Sequence, residues 1–296
     1  MPVEPICRSA PPEFDPAYYQ AANGDLRHFA SEELRQHYFR HGLGEGRTGS
    51  PGALRENFLG LVEAERAVLE VGPFCSPVVT GDNVKYFDVL DSEALVKRAN
   101  LIGLPVDEVP RVDYVSPTGD LGIVTEEFTG IVSSHAIEHQ PDLVKHLQHV
   151  GRLLVGGGRY YLIVPDKRYC FDHFISTSSI ADVLEAHQYG RTSHSVRSVI
   201  EHRALTTHND SVRHWEDDHA DAGHTESIAQ RIVDALSEFE AADGAFIDVH
   251  AWQFVPESFR LVVNTLAELG LIDLAVERVY GTPRPRPEFT AVLKKL

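Results

Sequence analysis

The sequence predicts an α/β fold, a mostly parallel sheet with helical crossovers that ends in an antiparallel pair of strands. Two observations carry this. From about residue 55, short apolar runs alternate with helical patterns, as parallel strands joined through helices require. Near the C-terminus two further runs, LAVERVYG and EFTAVLKKL, flank the Pro-rich turn TPRPRP and read as a hairpin.

Taken in order, residues 1–12 are Pro-rich and read as a flexible N-terminus. Residues 13–48 are dense in aromatics, His and Arg and form a small helical module. Its second helix, SEELRQHYFRHG, opens with Ser31 as N-cap, carries Glu33 in its first turn and stops at Gly42. The piece is too small for a core of its own, so Tyr18, Tyr19, Tyr38 and Phe39 must pack on the main domain or on a partner. RTGSPG, Arg47 to Gly52, has a linker's composition. The main domain then runs over 55–296.

Its first two strands are AVLEVG (67–72) and VKYFDV (84–89), with the helix DSEALVKRAN after the second; RVDYV, TGIVSS and RYYLIVP follow as strands three to five. Between the last two lies the clearest helix. Leu143, Leu147, Val150 and Leu154 share one face, and Gly156-Gly157-Gly158 stops it before Arg159. Residues from about 171 to 248 break the rhythm as a polar, His-rich helical insertion. PESFRLVVNTLAELG restores it, a helix opened by Pro256 and closed by Gly270.

The 296 residues hold 27 Lys and Arg against 44 Asp and Glu, a formal charge of −17. So negative a surface disfavours nucleic acid and anionic membranes as partners. No run approaches the roughly 20 apolar residues of a membrane span, and the first residues lack a signal peptide's apolar stretch. The three cysteines, Cys7, Cys75 and Cys170, have no paired spacing and read as reduced thiols. These features predict a cytoplasmic protein.

In such a sheet, ligands sit beyond the carboxyl ends of the strands. The first strand ends in Glu70-Val71-Gly72-Pro73-Phe74-Cys75-Ser76-Pro77, whose single glycine disfavours a pyrophosphate. The second ends in Asp88, placed to accept both hydrogen bonds of a ribose diol. VLEVGPFCSP, YFDVLD and IVSSHAIEHQPDLVKHLQHVGRLLVGGGRYYLIVPD resemble, in this order, the motifs of class I S-adenosylmethionine-dependent methyltransferases. VPDKRYCFDHF and DVHAWQFVPESF are similar to a subgroup found beside glycosyltransferases in surface-glycan or secondary-metabolite clusters, and residues 13–48 resemble a short module attached to bacterial glycosyltransferases.

The resemblance implies a Rossmann-like, seven-stranded sheet and S-adenosylmethionine as cofactor. It implies that Glu70, Gly72, Phe74 and Ser76 hold the methionine part, that Asp88 holds the ribose, that Asp120 and Leu121 flank the adenine, and that Ser134 and His135 line the sulfonium. The expected reaction is O-methylation of a saccharide or small molecule. A hydroxyl acceptor must lose a proton, for which His135, His139 and Asp166 are the catalytic candidates, with His173 next. Lys167 and Arg168 could clamp an anionic acceptor, and Trp215, Trp252, Tyr169 and Phe171 could offer flat faces to one.

Two other functions compete. One is a non-catalytic methyltransferase-fold module in a glycan-assembly complex. The other is a metal-dependent hydrolase, since His135-Ala136-Ile137-Glu138-His139 has the H-x-x-E-H spacing; a strand running into His135 and Pro141 soon after argue against its long helix. Some methyltransferases hold a divalent cation through E-x-x-E-H, but His135 stands at the first position, so no metal is expected. The histidines of the insertion read as a solvated acidic lid. A protein partner of the helical module, or a second copy of the chain, completes the expected partners.

Overall fold

A computed structural model describes residues 10–104, 106 and 109–296. Five parallel strands, β1 (Val68–Val71), β2 (Val84–Asp88), β3 (Tyr114–Val115), β4 (Phe128–Ser134) and β5 (Leu154–Pro165), are joined by β6 (Leu274–Val279) and β7 (Glu288–Lys295). The sheet order is β3-β2-β1-β4-β5-β7-β6, with β7 antiparallel to both neighbours. This is the Rossmann-like, seven-stranded mixed sheet expected.

Strand periodicity divides the core. Tyr160, Leu162 and Val164 of β5 face one apolar cluster with α5 (Leu143–Leu153) and α10 (Pro256–Glu268). Tyr161 and Ile163 face the other cluster, with Phe58 and Val62 of α3 (Arg55–Val62). Asp142 caps α5 by accepting from Lys145 N at 2.9 Å. Leu143, Leu147 and Val150 are fully buried as the helical spacing requires, but Leu154 is the first residue of β5. The glycines therefore do not stop the helix. They form an excursion within the strand, where partners of β4 jump from Leu154 to Arg159 and Gly157 takes φ +76°.

The helical module contains α1 (Pro16–Ala22), capped by Asp15, and α2 (Ser31–His37), continued by a π turn to Gly42. Ala30, not Ser31, is the N-cap, and Glu33 accepts from its N–H. The module does make a small cluster of its own: Phe14, Tyr19, Leu26, Leu34 and Tyr38 are buried together, whereas Phe39 is exposed. The glycines of the supposed linker are seats for aromatic rings. A side chain at Gly49 would overlap the ring of Tyr38, and one at Gly52 that of Tyr280. At the N-terminus, residues 1–9, with Cys7, lie outside the described residues, while Ala10 is buried and Pro11 O accepts from Tyr280.

The remaining helices are α4 (Ser92–Leu101), after β2, and α6 (Ile180–Gln188), α7 (Val196–Ala204), α8 (Ser211–His214) and α9 (Ile228–Ala242) in the insertion. Among the described residues, no helix is long and apolar enough to cross a membrane. The insertion is less solvated than its polarity implies. His194 and His214 are buried, and burial lowers both to about 4; His202 is held at about 3, again chiefly by burial.

Candidate functional site

The chain runs outward from β1 through β2 to β3 and returns to β4 on the other side of β1, so the order reverses between β1 and β4. A cavity of about 560 Å³ opens at that point, a volume usual for small organic ligands. Gly72, Asp88, Gly119, His135 and His139 contribute to its walls, from the loops after β1 to β4.

Gly72 takes φ +73°, and a Cβ there would stand 3.1 Å from that of Ala136 across the cleft. Phe74 and His135 also adopt positive φ, 49° and 51°, so backbone strain gathers at the rim. Asp88, 6 % exposed, accepts from Val89 N at 2.7 Å through Oδ1 and from Phe74 N at 3.2 Å through Oδ2. Burial raises its pKa against the pull of these donors. Oδ1 also accepts from Leu90 N at 3.4 Å, whereas Oδ2 keeps a lone pair, so Asp88 can still accept from a hydroxyl of a ribose diol, and an adenosyl ligand fits the acceptor and space present.

The other expected residues lie elsewhere. Glu70 does not line this cavity: it is 1 % exposed and accepts from Val78 N at 2.8 Å and Val79 N at 3.2 Å. Burial raises it to about 7 in spite of these bonds. It pins the loop after β1, and of the two carboxylates only Asp88 faces the ligand space. Ser76 is exposed and off the cavity. Asp120 accepts from Lys145 Nζ at 2.9 Å and, with buried Leu121, borders a smaller space of about 100 Å³. Pro117 to Gly119, just before them, line the larger cavity. Ser134 Oγ accepts from Arg55 Nη2 at 3.0 Å instead of lining the cavity.

Asp166 is fully buried and spent on structure, accepting from Arg168 Nη2 and from Thr282 Oγ1, each at 2.6 Å. Arg168 is thereby tied, and Lys167 Nζ donates to His173 O. Tyr169 and Trp215 stack on each other at 3.7 Å, and Trp252 donates to Gln140 O from the core. His173 stacks on His219, with ring centroids 3.7 Å apart.

After β4, a 3-10 turn (Ile137–His139) replaces the long helix that a hydrolase motif would need. Glu138 within it is fully buried, and neither carboxylate oxygen has a hydrogen-bond partner among the described residues. Three imidazole nitrogens surround its Oε1: His135 Nδ1 and His139 Nε2, each at 3.9 Å, and His250 Nε2 at 3.8 Å. The other nitrogen of each ring faces a second carboxylate. His135 Nε2 donates to Glu288 Oε2 at 2.6 Å, His250 Nδ1 donates to Asp172 Oδ2 at 2.6 Å, and Asp248 Oδ1 lies 3.0 Å from His139 Nδ1, off the line of a good hydrogen bond.

Burial works against charge on His135 and His139. Glu288 beside the first, and Asp248 with Glu138 beside the second, outweigh it and hold both pKa values above the ordinary imidazole range. His250 is pushed down to about 3 by burial and then by its neighbour His139, while burial lifts Asp172 to about 7. Sequence reasoning missed Glu288, Asp248, Asp172 and His250. The available signal was Asp248-Val249-His250 in the motif preceding the Pro256 helix.

A scan against protein-family models finds no match, and no curated protein matches the sequence. Among solved structures, the chain is similar to the mitomycin 7-O-methyltransferase MmcR at 12 % identity and a TM-score of 0.37, over 94 % of this chain and 62 % of that one. It thus spans less than two thirds of MmcR. It is also similar to magnesium protoporphyrin IX methyltransferase from Synechocystis PCC 6803 with bound SAH, at 10 % identity and TM-score 0.37, over 90 % and 100 % of the two chains. An S-adenosylmethionine-dependent methyltransferase from Mesorhizobium loti gives 15 % identity and TM-score 0.37, over 77 % and 90 %.

Proposed function

We propose that this chain is a cytoplasmic S-adenosylmethionine-dependent methyltransferase acting on a hydroxyl of a saccharide or other small molecule. The observation that carries the reading is the cavity at the sheet reversal, with Asp88 on one wall and His135 on another. The cofactor would supply an activated methyl group on a sulfonium, so the protein's work is to orient the acceptor and take its proton. Gly72 leaves room for the ligand against the loop after β1, and Asp88 accepts from its diol.

His135 is the base this reading favours. Its Nε2 is committed to Glu288, so Nδ1 is the nitrogen that takes the proton. An acceptor hydroxyl held against the donated methyl group would pass its proton to His135 Nδ1. The motifs shared with the glycosyltransferase-associated subgroup support a saccharide acceptor, and the helical module is the face we assign to a protein partner.

S-adenosylhomocysteine binding, read by calorimetry and by melting temperature, tests the first half. The wild type should bind and melt higher. Asp88→Ala, losing a charge-assisted hydrogen bond of about 1.5–3 kcal/mol, should weaken binding by roughly ten- to a hundred-fold. Absence of any shift in the wild type at millimolar ligand overturns the reading.

A further inference from the structure

We propose that Glu138, His139 and His250 bind one divalent first-row transition ion of the zinc class, with His135 at the rim of the site. The argument begins with an orphan. A fully buried carboxylate without a hydrogen bond costs several kcal/mol unless a positive partner meets it. The imidazole nitrogens that face Glu138 stand at 3.8–3.9 Å, too far for hydrogen bonds. Yet Glu138, His139 and His250 each present a ligand atom within 4.8 Å of the other two. Bonds of about 2.1 Å in a tetrahedron place neighbouring ligand atoms about 3.4 Å apart, so the trio is a slightly expanded coordination shell.

Tautomers agree with this arrangement. His250 Nδ1–H donates to Asp172, which leaves Nε2 as a lone pair directed at Glu138. Asp248 lies behind His139, and Glu288 behind His135. A carboxylate behind an imidazole fixes its tautomer and raises its strength as a ligand. Two imidazoles and one carboxylate select zinc, iron or cobalt over magnesium or calcium, which prefer all-oxygen shells. Backbone bonds brace the turn as well, since Glu138 O accepts from Ala251 N at 2.7 Å and His139 O accepts from His194 Nε2 at 2.9 Å.

His135 and His139 line the cavity, while Glu138 and His250 stand behind them in the core, so the ion would reach the ligand space on the side of the base. This part rests on the methyltransferase reading: an acceptor hydroxyl brought against the cation would lose its proton to His135 more readily. The cation is unchanged by the transfer, and the proton ends on His135 Nδ1.

The test strips the full chain with a chelator and titrates it with Co²⁺, followed by its visible d–d absorption and then by displacement with Zn²⁺. One Co²⁺ per chain, with bands typical of nitrogen and oxygen ligands, is expected. Glu138→Gln and His250→Ala should each weaken binding by more than roughly a hundred-fold, and Asp172→Asn, which keeps every ligand, by roughly ten- to a hundred-fold. Circular dichroism checks that each variant folds; if the ligand variants do not, the wild type and Asp172→Asn decide. Failure of the wild type to take up Co²⁺ or Zn²⁺, or uptake unmoved by these changes, overturns the proposal. S-adenosylhomocysteine binding is measured on the same samples. Ion uptake without nucleoside binding sinks the methyltransferase reading alone, and nucleoside binding without ion uptake sinks the cation alone.

Discussion

Glu288, the first residue of β7, accepts a hydrogen bond from His135 Nε2 at 2.6 Å, joining the hairpin to the loop after β4. Arg55 Nη1 reaches the same carboxylate at 3.1 Å. Burial opposes charge on Glu288, but His135 and then Arg55 outweigh it and hold its carboxyl below the usual range. Two polar groups 153 positions apart thus set each other's protonation at the mouth of the cavity.

Removing the charge of Glu288 should therefore act on His135. In Glu288→Gln, burial is less opposed, and the imidazole pKa falls from its raised value. Ring-proton resonances followed through a pH titration read this directly, without knowledge of the acceptor. A titration of His135 that stays in place would show that Glu288 does not tune it. Once an acceptor is found, the acid limb of the pH–rate curve should move to lower pH in the same variant.

Gly72→Ala should cost about 1–2 kcal/mol of stability, because φ +73° disfavours any L side chain. The added methyl would also stand 3.1 Å from Ala136 across the cleft and weaken ligand binding. Thermal melts should drop by a few degrees. An unchanged melt with unchanged nucleoside affinity would mean that the loop relaxes freely.

His146 supplies a pH test of folding. It is buried beside Tyr160, whose hydroxyl lies 3.0 Å from its Nε2, and burial lowers it to about 3. The native chain thus refuses a proton that the unfolded chain accepts below about pH 6.5. Its contribution is fully present above that pH and is lost as pH falls. Between about pH 6.5 and pH 5 the loss is about 2 kcal/mol. His146→Gln, which keeps a polar partner for Tyr160, should flatten the pH dependence of the denaturant midpoint by that amount. Equal slopes in the two proteins would contradict the assignment.

What could be read from the sequence was what is local. Pro256 and Gly270 bound a helix because one fixes φ at the start and the other takes φ +68° after its end. Leu143, Leu147 and Val150 share a face because of helical pitch. Leu154 satisfied the same pitch but became a strand residue, since parallel pairing with Phe128 claimed it. Asp88 was legible because a strand's last residue must lie at the sheet's edge. Glu70 looked equivalent, yet its oxygens went to the nearer backbone N–H groups of Val78 and Val79. The convergence on Glu138 was not legible, because His250 lies 112 residues downstream of that carboxylate and arrives only when the insertion folds back.

Gly46 sits where no other residue could: a Cβ there would be 2.7 Å from both Trp215 of the insertion and Arg284 of the hairpin turn. Trp215 Nε1 in turn donates to Arg286 O, and Arg284 N donates to Gly46 O. Three stretches of chain that are remote in sequence thus close like clasped fingers over one peptide unit. Cutting off the first forty-odd residues would therefore not free a bead from a string; it would unseat the indole and loosen the insertion's hold on the hairpin turn.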